Sequence, residues 1–227
     1  MIIDHNHPLY REKYRKLKGG NQYNGAYYYS KEIVKNIIPN VKTDRNWVTI
    51  RLPEMKDHPD HSIVFIHNNR NPNYYAYLKE FKDCVLVCGL EKTAEIMKFF
   101  SDKVIYLPLS VDVKAVEKYR VKKKTKEQAF AGRMVKLFHA PVPSNCDMLT
   151  DMPQSQLLKE MAKYRKVYCT GRTAIQAKIL GCEIGVHDPR FPDPKIWKIV
   201  DNYEASQILQ AKLNVIDGIN RTKEFLV

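Results

Sequence analysis

Short apolar runs alternate with helical spacings along most of the chain. Ile33, Val34, Ile37 and Ile38 recur at helical intervals and Pro39 stops the pattern, so the sequence predicts a helix over 27–38. Residues 47–52 alternate like a strand and end at Pro53. The run Ser62-Ile63-Val64-Phe65-Ile66-His67 empties into the polar Asn68-Asn69-Arg70-Asn71-Pro72, the pattern of a buried strand opening into a loop. A helix over 74–81, a buried strand over 85–88, a helix over 91–100 and a strand over 104–107 follow, the last closed by Pro108. A basic stretch then occupies 118–126. Beyond it come a strand over 128–131 leading into Gly132-Arg133, a helix over 156–164 and a strand over 166–169. Gly171-Arg172 opens a helix that reaches Leu180, and a strand over 183–186 and a helix over 204–213 complete the set. Strands alternating with helices imply mostly parallel sheets covered on both faces. The sequence therefore predicts an α/β protein of two lobes, 1–125 and 126–227. The basic stretch serves as linker, and the last helix is able to pack back on the first lobe.

No apolar run approaches the roughly 20 residues of a membrane span; the longest, Cys84-Val85-Leu86-Val87-Cys88, is strand-sized. The start, Met1-Ile2-Ile3-Asp4-His5, lacks the basic-then-apolar pattern of a signal peptide. A cytoplasmic protein is expected. Its five cysteines include no CxxC pair, which points to reduced core thiols and away from zinc. The histidines at His5, His7, His58 and His61 fall in polar loops rather than on a ligand helix, so no metal is expected.

Charge adds a partner to this picture. The net charge is +13 and the pI about 9.4, a field that attracts phosphates on nucleotides, nucleic acid or anionic lipid. The cations cluster at Arg11, Lys13, Arg15, Lys16 and Lys18, and again at Lys118, Arg120, Lys122, Lys123, Lys124 and Lys126. Two readings stand side by side: a solvated face with a linker, or a docking surface for a polyanion centred on Lys122, Lys123 and Lys124.

Standard nucleotide motifs are missing. Gly20 to Gly25 has P-loop glycine spacing, but Ala26-Tyr27 stands where Lys and Ser or Thr belong. There is no GxGxxG, HExxH or GxSxG. What remains is a set of glycine turns: Gly19-Gly20 before the first helix, Gly132-Arg133 after a strand, and Gly171-Arg172-Thr173 opening a helix. A helix start offers backbone N–H groups and a positive dipole end, and glycine lets a diphosphate come close. Arginine beside such a turn can grip phosphate with two parallel hydrogen bonds.

The order of these turns carries a family resemblance. Val104-Ile105-Tyr106-Leu107-Pro108-Leu109-Ser110-Val111-Asp112 resembles the segment closing the first lobe of GT-B glycosyltransferases. Phe130-Ala131-Gly132-Arg133 is similar to the first strand and turn of their second lobe. The stretch from Thr170 to Val186 resembles the donor-binding helix and following strand of family 4-like second lobes. The resemblance implies two Rossmann-like lobes with a cleft between them, and metal-independent transfer of a sugar, hexosyltransferase-style, from a nucleotide-diphosphate sugar. That nucleotide sugar is a co-substrate; no bound cofactor is implied. The acceptor would be a hydroxyl, with DNA or another polyanion among the candidates.

By the same resemblance, Arg133 and Lys136 would neutralise the departing diphosphate, and Gly132, Gly171, Arg172 and Thr173 would cradle it. Gln176 takes the place of a ribose-binding glutamate, and a second acidic position falls near Tyr168, so the usual glutamate pair is absent. Gly19, Gly20 and Asn21 match the N-terminal glycine loop on the acceptor side. His67, just after an apolar strand, is placed to take a hydroxyl proton or to cap the strand. Two other functions remain open: a non-catalytic nucleic-acid-binding protein, and a degenerate GT-B scaffold that binds without turnover.

Overall fold

The computed structural model describes residues 1–4, 7–8, 25–49, 60–67, 83–133, 137 and 141–224. In its first half the apolar runs become parallel strands. They are β1 (Ile2–Ile3), β2 (Asn46–Val48), β3 (Ser62–Ile66), β4 (Val85–Cys88) and β5 (Val104–Tyr106), in sequential order across the sheet. Register puts Ile3, Val48, Val64, Leu86 and Val104 in one row. That row packs with Ala94 and Met97 of α2 (Glu91–Met97). Alternate residues face the other way. Trp47 stacks on Phe65 with centroids 6.4 Å apart, and Tyr29 of α1 (Gly25–Glu32) meets Phe65 edge-on at 6.4 Å. A strand buried on both faces has no polar alternation, which is why β3 and β4 read as continuous apolar runs.

The helix predicted over 27–38 keeps α geometry only to Glu32. It then widens into a π turn over Ile33–Ile37 and tightens into a 3-10 turn over Ile38–Asn40. Pro39 has no N–H to donate and obstructs the turn before it. The N–H of Ile38 reaches back five residues to the Ile33 carbonyl, and that of Val41 closes on Ile38 at 3.1 Å.

The second sheet contains β6 (Lys126–Ala131), β7 (Asp147–Leu149), β8 (Tyr164–Tyr168) and β9 (Glu183–Gly185), all parallel, in the order β7-β6-β8-β9. Short α3 (Val113–Glu117) precedes it, α4 (Gln154–Met161) links β7 to β8, and α5 (Arg172–Ile179) links β8 to β9. The chain steps from β6 out to β7, then crosses back over β6 to β8. Loops leaving β6 and β8 therefore diverge at the boundary between two adjacent strands, the place where open parallel sheets characteristically bind ligands. The described part of the first sheet has no such reversal.

Contacts divide the chain into one unit of residues 1–20, 29–108 and 203–227 and another of 21–28 and 109–202. The boundary thus lies at Pro108–Leu109 and not at 125–126, and the basic stretch belongs to the second unit. Val111 fixes it there, since its N–H donates to Val200 at 3.2 Å and its carbonyl accepts from Asn202 at 3.1 Å. The last helix, α6 (Asn202–Glu224), is more than twice its predicted length of 204–213. Within the first unit Gln210 exchanges hydrogen bonds with both backbone groups of Lys42, at 2.6 and 3.2 Å, and Lys212 donates to the Tyr106 carbonyl at 2.7 Å. All five cysteines are buried and free. Among the described residues no helix is long and apolar enough to cross a membrane. The helix expected over 74–81 lies outside the described residues.

Candidate functional site

The candidate site is the carboxyl edge of the second sheet, where β6, β8 and β9 release their loops. Phe130, near the end of β6, is fully buried and underlies two of them. Its ring lies 3.0 Å from where a Cβ on Gly132 would stand, and its centroid is 5.5 Å from that of His187, edge-on. Any side chain at 132 would push on that ring, so glycine keeps the turn tight. Arg133 follows directly and is exposed.

After β8, Gly171 takes φ 66° and ψ −143°, a region open essentially to glycine alone. Nothing lies within 4 Å of a Cβ placed there, so backbone conformation and not crowding dictates the residue. Its carbonyl accepts from Ala174 and Ile175 at 3.0 and 3.3 Å, and α5 begins. The first-turn amides of a helix have no partner within it and sit at the positive end of its dipole. Thr173 is half-buried on this turn.

Arg172 departs from its expected role as a phosphate clamp. Its Nε donates to the Ser110 carbonyl at 3.0 Å, so one edge of the guanidinium fastens residue 110 to the head of α5. Gln176 is only 4% exposed. It sits among the buried Ala174, Ile175 and Ala177, which leaves little of its amide for a ribose.

After β9 the structure adds three residues that sequence reasoning missed. Asp188, 3% exposed, grips Arg190 through Nε at 2.9 Å and Nη2 at 2.5 Å, and accepts from its backbone N–H at 3.1 Å. Those bonds outweigh burial and hold the carboxyl at about 2. The exposed Arg190 is thus pre-set beside His187 on the same edge as Arg133. The usable signal was Gly185-Val186-His187-Asp188, the strand-to-loop position equivalent to Gly132-Arg133.

His67 belongs to the first unit and follows β3. Its Nε2 donates to the Thr49 carbonyl at 2.7 Å, and its ring meets Tyr29 edge-on at 5.8 Å. A carbonyl can only accept, so Nε2 carries the proton and the neutral ring holds its lone pair on Nδ1. Thr49 is itself anchored, with its hydroxyl 2.8 Å from that of Ser30, both buried. Gly19, Gly20, Asn21 and Lys136 lie outside the described residues.

The amino edges of the two sheets are closed by charges. Arg45, His61, Asp83 and Lys103 stand just ahead of β2, β3, β4 and β5. Asp83 accepts from Arg45 at 3.1 Å and from His61 and Lys103, while Asp217 accepts from Arg45 at 2.8 Å. In the second unit Tyr164 donates to Asp147 at 2.7 Å and Lys126 to Tyr164 at 2.9 Å, the three residues opening β8, β7 and β6.

Lys124 also belongs to this end of the second unit, which corrects its place among the docking lysines. Its Nζ donates to the Ala162 and Leu180 carbonyls at 2.8 and 2.6 Å, where α4 and α5 end. Helix ends leave such carbonyls without partners, and a cation there also complements the dipole. Lys122 and Lys123 are exposed.

Among the described residues no group of three or more His, Cys, Asp or Glu is placed to hold a metal ion. No protein-family model matches the chain, and no curated protein and no solved structure is significantly similar to it.

Proposed function

We propose that the protein is a glycosyltransferase moving a sugar from a nucleotide-diphosphate donor to a hydroxyl acceptor. The observation that carries this reading is the reversal of strand order between β6 and β8. It sets Gly132-Arg133 and Gly171-Arg172-Thr173 side by side at the carboxyl edge, with Arg190 nearby. The donor diphosphate would lie over that edge, against Arg133 and the first turn of α5. As the acceptor oxygen attacks the anomeric carbon, its proton passes to Nδ1 of His67. The bond from that carbon to the phosphate oxygen breaks, and the nucleoside diphosphate leaves with its added charge facing arginine and helix dipole. The reading includes a GT-B cleft that brings both units to one substrate pair.

Isothermal titration with a panel of nucleotide diphosphates and their sugars tests it. At least one should bind, and Arg133→Ala should weaken that ligand about 10- to 150-fold, the scale of one charge-assisted hydrogen bond at about 1.5–3 kcal/mol. If no nucleotide diphosphate binds the wild-type chain, the reading fails.

A further inference from the structure

Subtracting Lys124 from the basic stretch leaves five exposed cations: Lys114, Lys118, Arg120, Lys122 and Lys123. None of the five has a carboxylate partner among the described residues. Elsewhere in the same unit Lys126, Lys163, Arg165, Lys166 and Arg190 are all ion-paired. Between residues 114 and 124 the one acidic side chain is Glu117.

The five form a stripe with known ends. Ser110 is fastened to Arg172 at the head of α5. The Arg120 guanidinium lies against Gly181 just past the tail, 3.4 Å from where a Cβ would stand. The segment from 110 to 120 therefore runs alongside α5 from head to tail, about 14 Å at about 1.5 Å per residue. Lys114 and Lys118, four apart on α3, share a face, and Lys124 pins the far end to α4 and α5.

We propose that this stripe is a docking track for the phosphates of duplex DNA, running from the far edge of the unit to the head of α5. Over about 14 Å a duplex presents about eight charges and a single strand about four. Five cations on that length match the duplex. A membrane surface is a poorer partner, because Val121, at 37%, is the one large apolar side chain exposed on the stripe, and surface-seeking elements need an apolar face to insert. The track's service as an acceptor guide rests on the proposed sugar transfer; DNA binding by itself does not.

The test is fluorescence anisotropy of the full chain with a labelled DNA duplex of about two helical turns, across salt concentrations. Five phosphate contacts correspond to a slope of about −4.5 in log K against log salt, or about 500-fold between 50 and 200 mM. Replacing Lys114, Lys118, Arg120, Lys122 and Lys123 together by Gln should flatten the slope by about 4, with melting unchanged. A control with Lys159, Lys195 and Lys198 replaced by Gln should keep the wild-type slope. An unchanged slope in the fivefold variant, an equal loss in the control, or equally tight binding of a single strand or of phosphatidylserine vesicles overturns the proposal. Nucleotide-sugar titration of the same variant separates the readings: donor binding absent with the DNA slope intact sinks sugar transfer alone.

Discussion

Replacing Lys124 by Met keeps the length and apolar stem of the side chain and removes its ammonium. Two carbonyls, on the fully buried Ala162 and Leu180, then lose a charged donor at 2.8 and 2.6 Å. An orphaned buried acceptor costs about 1–3 kcal/mol, and the cation's interaction with each helix end adds about 0.3–1 kcal/mol. Relief of the lysine's own desolvation offsets part of this, so the net loss should be about 2–4 kcal/mol. For a chain of this length that lowers the melting temperature by roughly 4–16 °C. Lys122→Met and Lys123→Met touch exposed side chains and should each stay within about 0.5 kcal/mol of wild type. Thermal and urea melts of the three variants, followed by circular dichroism, read the difference directly. A Lys124 variant that melts with wild type, or three variants destabilised alike, would show that the two helix ends do not depend on this ammonium.

The remaining predictions address the amino edge, the glycine turn and the proposed base. Hydrogen bonding to Asp83 raises the His61 pKa above its ordinary 6.5, so its contribution is full below 6.5 and is lost as pH climbs through the folded value. Burial would raise the Asp83 carboxyl, but bonds from His61, Lys103 and Arg45 overcome it and hold it well below its ordinary 3.8; its contribution is full above 3.8 and is lost on acidification. Melting temperature against pH should therefore peak between these limits, and His61→Gln should remove the decline on the alkaline side; an unaltered profile would exclude His61 as its source. Gly171→Ala should cost about 1–3 kcal/mol in urea melts through its positive φ, although the site has room for a methyl; a neutral result would mean that the turn relaxes. His67→Ala should cut turnover roughly 10²–10⁴-fold with donor affinity nearly intact if the residue is the base, whereas a capping role predicts a loss of about 1 kcal/mol in stability and a modest change in rate.

The elements legible in the sequence were those whose pattern reflects a local environment. β3 and β4 announce burial on both faces, and Gly171 announces the head of α5. Elements supported from elsewhere left no such mark. β7 is three residues long with Asp147 and Met148 exposed, so no apolar run exists to find. The basic stretch suggested a linker because charge was taken as a sign of exposure, yet Lys124 differs from Lys122 and Lys123 only in what the fold puts beside it. The cluster around Asp83 joins residues from 45 to 217 because a parallel sheet aligns the starts of distant strands. Nor could spacing reveal that Arg172 faces a carbonyl or that Gln176 is turned inward, since both sit where a ligand-binding residue would.

The placement of α6 sets an order of events during synthesis. The second unit, apart from 21–28, is continuous from 109 to 202, whereas the first also needs residues 203 onward. A ribosome that has delivered all five strands of the first sheet has not yet made Gln210, Lys212 or Asp217. Until Asp217 emerges, the Arg45 side chain, 1% exposed in the finished fold, has Asp83 as its only described carboxylate partner. The lobe begun first is thus the one completed last. A nascent chain halted near residue 202 should carry a closed second unit behind an unfinished first, the stage at which exposed strands most need a chaperone.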